Sequence, residues 1–211
     1  MTVKFESITS KETNMKTLSQ MTREEKLHEI LQYNPCRVER NTVLRYLLAL
    51  RRNDMEQTSY FESFGNNMRQ IILNTRTYER ALVFGYAGKQ FNEYGWLNGM
   101  LPIVEEIKLD NMNTIHIGQS INGTYAVSIN WSTGCAGGGS HPSIWDEPIR
   151  DYKEAIRQGI RQLEQQYDKT ERWSVSDNSN YNLKIIRNLK TKLSELKQRY
   201  TQPQQLTLAL F

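Results

Sequence analysis

The 211-residue chain predicts an α+β fold: an N-terminal helical cluster, a small antiparallel sheet covered by a helix, and a C-terminal basic helix with an extended tail. Three observations predict it. Apolar residues recur at helical steps through 21–80, they alternate through 114–131, and the helical step returns over 149–167 and 183–200. Four Trp, eleven Tyr and an apolar share of 38 % suffice for a packed core, though not for one spanning the whole length.

Residues 1–20 are polar and without a period, which predicts a flexible arm. A helical cluster over 21–80 follows. Its first helix opens at Thr22-Arg23-Glu24-Glu25, a capping box in which the Thr22 hydroxyl accepts the Glu25 amide and Glu25 reaches back. It stops at Asn34-Pro35, because the residue before proline is driven out of the α region. Asn41 is placed to cap a second helix with Val43, Leu44, Leu47, Leu48 and Leu50 on its apolar side, ending near Asn53-Asp54. Tyr60, Phe61, Phe64, Met68, Ile71 and Ile72 predict a third helix with one buried stripe. Residues 77–90 read as a fourth helix or a run into a strand.

The α+β body is assigned to 81–168. Asn122-Gly123 signals a hairpin. A two-residue loop would set Ile115 and Ile117 against the polar face of the second strand. A three-residue loop, Asn122-Gly123-Thr124, pairs Ile121 with Tyr125 and aligns Ile115, Ile117 and Ile121 with Tyr125, Val127, Ile129 and Trp131. That register is expected. Two strands alone are marginal, so another must come from 80–109, where LPIVEEIKL reads as strand or helix. Pro148 suits the first turn of a helix whose stripe, Ile149, Tyr152, Ile156, Ile160, Leu163 and Tyr167, would cover the hairpin. Residues 169–182 read as a polar linker. In 183–211, Leu183, Ile186, Leu189, Leu193, Leu196 and Tyr200 form a seam too short to stand alone, so that helix must pack on the body, a second copy or a partner. Pro203 ends it.

The net charge of +4 is unevenly spread: −4 over 81–168 and +5 over 169–211. Such polarity suits contact with a phosphate backbone or an acidic partner. Cys36 and Cys135 lack metal-ligand spacing and read as free thiols of a reducing compartment. Neither a signal peptide nor a membrane span is read in the sequence, so a cytoplasmic location and no membrane partner are expected.

No cofactor, metal site or catalytic residue is expected. The glycine-rich stretch Gly134–Pro142 offers backbone amides, yet it matches no nucleotide-binding spacing and no helix starts directly after its glycines. Cys135, Ser140, His141 and Asp146 are residue types of a nucleophile, base and orienter, but a glycine-rich loop holds such a set poorly. His116 falls on the polar face of the hairpin with Ala126, Ser128 and Asn130, as a solvated or hydrogen-bonded side chain. The helices over 22–33 and 41–52 have helix-turn-helix outline, with Arg45, Arg51 and Arg52 on or after the second, but their connection is long and lacks the glycine turn. Nucleic-acid contact is assigned to Lys184, Arg187, Lys190, Lys192, Lys197 and Arg199 of the C-terminal helix, opposed there by Glu195 alone.

The end of the chain, Gln205-Leu206-Thr207-Leu208-Ala209-Leu210-Phe211, resembles the short peptide by which bacterial replication and repair proteins dock on the sliding clamp. The match covers seven of 211 residues and is slightly longer than the commonest form of that peptide. It implies partner contact through Gln205, Leu206, Leu208, Leu210 and Phe211, with the apolar side chains in a preformed pocket and Gln205 at its rim. The leading expectation is a non-enzymatic accessory or regulatory protein of bacterial or phage DNA metabolism. Its rivals are a phage or mobile-element inhibitor of a host defence complex, and a hydrolase or nuclease centred on 133–147.

Overall fold

A computed structural model describes residues 16–201, so the arm before Lys16 and the clamp-like peptide lie outside the described residues. The fold is α+β. The chain divides into two compact units, one running to Arg76 and including Glu93–Trp96, the other comprising Thr77–Asn92 and the chain from Leu97 onward.

The first unit is helical: α1 (Arg23–Gln32), α2 (Arg40–Arg52), α3 (Met55–Glu62) and the first half of α4 (Met68–Val83). The capping box at α1 forms as expected, with the Glu25 amide donating to Thr22 Oγ1 at 3.2 Å and the Thr22 amide to Glu25 Oε2 at 2.8 Å. The stripe expected of one third helix is buried but belongs to two. Phe61 lies on α3, Phe64 in the break, and Met68, Ile71 and Ile72 on α4, all in contact with the core. Gly65-Asn66-Asn67 interrupts the helix, and Asn67 Oδ1 caps α4 by accepting the Gln70 amide. The expected apolar side of α2 is corrected as well: Thr42, Val43, Tyr46, Ala49 and Leu50 are buried, whereas Leu44 is 52 % exposed. The helix begins at Arg40 and turns its Tyr46 side inward, where the Tyr46 hydroxyl donates to Glu62.

The second unit holds an antiparallel sheet in the order β1 (Ile103–Lys108), β2 (Thr114–Gln119), β3 (Tyr125–Ser132), β4 (Gly137–Gly139). The ambiguous LPIVEEIKL segment is therefore a strand, and part of the glycine-rich stretch is an edge strand. Ile107, Ile115, Ile117 and Val127 form one face with the buried residues of α5 (Tyr152–Trp173), namely Ile156, Ile160, Leu163 and Tyr167. The hairpin thus lies under the helix, as the alternation predicts. The approach is close at Gly159, where an added Cβ would stand 2.3 Å from Ile115 Cγ2.

The hairpin register differs from the expected one. Ile117 pairs with Val127 and Ile115 with Ile129, two residues away from the predicted partners. The loop has three residues, as expected, but they are Ile121, Asn122 and Gly123, closed by the Ser120 amide donating to Thr124 O at 2.9 Å. Ile121 is consequently 71 % exposed in the loop rather than on the apolar face. The reason is backbone conformation: Gly123 takes φ of 80°, the left-handed position that ends a three-residue hairpin loop. The predicted loop would have placed Thr124 there.

α5 starts at Tyr152 with Asp151 as its cap, so Pro148 precedes the helix, and Ile149 instead pairs with Tyr125. The helix runs to Trp173, through the first residues assigned to the linker. α6 (Leu183–Thr201) packs its seam on the body, with Ile186, Leu189, Leu193 and Leu196 joining the α5 core. The opposite face of the sheet is covered around Ala126 by Phe84, Leu101 and Ile144. Among the described residues, no helix is long and apolar enough to cross a membrane.

Candidate nucleic-acid interface

α6 carries all six cations assigned to nucleic acid, and the fold divides them. Asn182 starts the helix, its Oδ1 accepting the amides of Lys184 and Ile185 at 3.0 and 3.2 Å. The same residue ties the helix to the sheet, since its amide donates to Thr133 O at 2.9 Å. The glycine-rich stretch also meets this corner, through the Ala136 amide donating to Asn180 O. From here the seam fixes the rotation of the helix, and with it the direction of every charge.

Lys190 and Lys197 face α5. Lys190 Nζ lies 2.8 Å from Asp168 Oδ1 and also pairs with Glu171, and Lys197 Nζ donates to both carboxylate oxygens of Glu164 at 3.0 and 3.1 Å. The bonds to Asp168 and Glu171 hold the Lys190 ammonium above the ordinary lysine range. Lys192 is half-buried, and its positive charge contributes to holding the Asp110 carboxyl below its ordinary pKa. Lys184, Arg187 and Arg199 stand exposed on the outer arc, with Glu195 exposed between them. Lys184 and Arg187 are one turn apart, and Arg199 lies about 18 Å further along the axis at ~1.5 Å per residue. The sequence placed the six as one basic set; the structure gives two of them to the α5 acids. The signal for that division was present, since Glu164, Asp168 and Glu171 recur at helical spacing on one side of α5.

The other singled-out residues are dispersed. Asp146 Oδ2 accepts the Ser143 amide at 2.7 Å and the Ser143 hydroxyl at 3.1 Å, closing a turn, while His141 Nδ1 lies 2.9 Å from Pro142 O. Among the described residues, no hydrogen bond joins His141 to Asp146, Ser140 or Cys135, and Cys36 and Cys135 are exposed free thiols. Arg45 stacks on Phe61, 5.4 Å from the ring centroid, so this part of the helix-turn-helix outline is turned to packing. Arg51 and Arg52 are exposed.

One arrangement was not anticipated. Strand pairing sets Glu106, His116 and Ser128 side by side across β1, β2 and β3. His116 is not solvated but only 8 % exposed, and its Nδ1 sits 3.5 Å from Glu106 Oε1 without a hydrogen bond. Ser128 Oγ donates to Ser140 O at 2.8 Å, which draws the 140–144 segment over this face. A strand alternation shows which face a residue takes, but not which distant loop will cover it. Among the described residues, no group of three or more His, Cys, Asp or Glu is disposed to hold a metal ion.

Comparisons with protein-family models, with curated proteins and with solved structures found no match to this chain. The reading of function therefore rests on α6 and on the peptide that follows it.

Proposed function

We propose that the protein is a non-enzymatic accessory factor of bacterial or phage DNA metabolism. It touches nucleic acid through the outer arc of α6 and a protein partner, the sliding clamp, through Gln205–Phe211. The observation that carries this reading is the division of charge on α6. The apolar seam docks the helix on the body and the α5 acids pair with the inner lysines, while Lys184, Arg187 and Arg199 are exposed on the outer arc. Phosphate contact of this kind needs no base readout and rises and falls with salt. The helix then leads through Pro203 into the clamp-like peptide.

Two measurements test the two halves separately. Fluorescence anisotropy with labelled DNA should show binding that weakens as salt rises from ~50 to ~200 mM, with a log–log slope near −3 for about three phosphate contacts. Reversing Lys184, Arg187 and Arg199 to Glu should abolish it while leaving thermal stability close to wild type. Salt-independent binding, or binding that survives the triple reversal, removes α6 as the interface. A labelled peptide of residues 201–211, titrated with a bacterial clamp, should bind with micromolar Kd, about −8 kcal/mol. A Gln205→Ala, Phe211→Ala double variant should not. Failure of the parent peptide to bind removes the clamp half and leaves the nucleic-acid half to stand or fall by the first measurement.

A further inference from the structure

The second unit contains a cavity of about 420 Å³ between the end of α4, the loop that follows it, the 97–100 segment, the hairpin tip and Ile144. It lies within the size range of small-molecule sites, roughly 300–1,000 Å³. Ala81 and Ile144, both part of a buried apolar cluster, line it. Two aromatic rings, Tyr78 and Tyr86, line it as well.

Tyr86 is held there by the way α4 ends. The Tyr86 amide donates to Ala81 O at 3.1 Å and the Gly85 amide to Leu82 O at 3.0 Å, the paired bonds of a Schellman closure, and the Tyr86 ring packs against the cluster that includes Ala81. The polar lining has a defined sense. Asn98 Oδ1 accepts the Met100 amide at 2.9 Å, so the Asn98 NH₂ keeps its donors for a ligand, and Gln90 adds a second amide with both donor and acceptor. Lys89 lies in sequence between the lining residues Gly88 and Gln90, and its Nζ is 5.5 Å from the ring centroid of Tyr78, which lines the cavity.

Aromatic faces, amide groups and one cation together describe a single chemistry: a flat heteroaromatic ring with hydrogen-bonding edges and an attached anion. We infer that this cavity is a nucleobase site, in which Tyr86 supplies the stacking face, Asn98 and Gln90 address the edge of the base, and Lys89 meets the phosphate. A purely apolar ligand would draw no hydrogen bond from the exposed Asn98 and Gln90 amides, and an aliphatic anion would make no use of the rings. The site is separate from the α6 arc and does not depend on it. A free nucleotide and an unpaired base of a strand present the same chemistry, and experiment distinguishes them.

The test uses the full-length chain with three probes: each of the four ribonucleoside monophosphates, a twelve-residue single-stranded DNA, and the same strand with abasic sites throughout. Saturation-transfer NMR and calorimetry should show a monophosphate bound, or the intact strand bound better than the abasic one; the first outcome assigns the site to free nucleotides and the second to strand bases. In either case Tyr86→Ala should weaken binding by about tenfold or more, as expected for loss of one stacking platform. Asn98→Ala and Gln90→Ala, at exposed positions, should each weaken it several-fold and change the preference among bases. The Lys184, Arg187, Arg199 reversal should leave monophosphate affinity unchanged, so a failed α6 interface does not carry this site with it. The inference is overturned if no monophosphate binds and the intact and abasic strands bind alike. It is equally overturned if base-dependent binding survives Asn98→Ala and Gln90→Ala with unchanged preference, a result that stands even should Tyr86→Ala fail to fold.

Discussion

Asn113 shows how much one buried side chain can organise. Its Oδ1 accepts the Tyr167 hydroxyl and the Ser132 amide, each at 2.9 Å, while its Nδ2 donates to Asp110 Oδ1 at 2.9 Å. A β-turn, a strand and α5 thus share one amide. Asn113→Ala leaves a buried hydroxyl and a buried amide unsatisfied, and should cost about 2–4 kcal/mol by urea unfolding, against about 1 kcal/mol for Tyr167→Phe, which removes donor and demand together. The neighbouring carboxyl adds a pH dependence. Burial works to raise the Asp110 pKa, but the hydrogen bonds from the Asn113 side chain and from the Met112 and Asn113 amides, with the Lys192 charge, hold it below the ordinary value of 3.8. A depressed folded pKa gives stability that is present above the unfolded value and is lost as pH falls through the folded one. Asp110→Asn should therefore flatten the acid limb of a stability–pH profile below about pH 4 and leave the neutral region's slope unchanged.

At the scale of elements, α5 is the piece on which the second unit is assembled. Gly159 lets it sit close to β2, and Gly159→Ala should destabilise by about 1–3 kcal/mol through overpacking on Ile115, despite a gain in helix propensity of ~0.5–1 kcal/mol. A smaller loss than the propensity gain would mean the sheet yields freely at that point. The hairpin beneath it shows what was legible in the sequence. Alternation established which residues of β2 and β3 face the helix, because that face follows from parity alone. It did not establish the register, because a slip of two residues preserves parity. Gly123 decided that, and its left-handed conformation is a property of one backbone position rather than of a pattern. The break between α3 and α4 was missed for a related reason: the apolar stripe continues across Gly65-Asn66-Asn67, and only the turn chemistry marks the interruption. Lys184, Arg187 and Arg199 were legible as one exposed basic set since they lie on the same helix. The Glu106–His116–Ser128 row was not, since strand pairing and a covering loop create it from three separate segments.

Over the whole molecule, the contrast between an acidic middle and a basic end is partly settled within the chain itself. Glu164 and Asp168, from the acidic stretch 81–168, pair with Lys197 and Lys190 of the basic stretch 169–211, so both surpluses overstate what is offered to partners. Exposed pairs of this kind are worth roughly 0–1 kcal/mol each and weaken with salt. Their value has a pH window. The raised Lys190 pKa gives stability that is complete below the ordinary value of 10.5 and lost as pH rises through the higher folded value. Lys190→Met should accordingly differ from the wild-type urea midpoint by a constant amount at neutral pH, and the difference should shrink only above about pH 10.5. A difference that stays constant as pH rises well above about 10.5 would place the effect in packing rather than in the pair.

The sheet has two borders, and they are protected by different means. β1 carries Glu105, Glu106 and Lys108 along one border, a common electrostatic defence against strand-by-strand growth into aggregates. β4 has no side chains with which to repel anything, since it is Gly137, Gly138 and Gly139, all exposed. Its defence is the absence of side chains, since an incoming strand would gain no cross-strand side-chain contact along it. A single Gly138→Val change would remove part of that barrier, and turbidity or thioflavin fluorescence during prolonged incubation would then rise earlier than for the wild-type chain. Solubility would in this way depend on three residues that carry no charge and bury no surface.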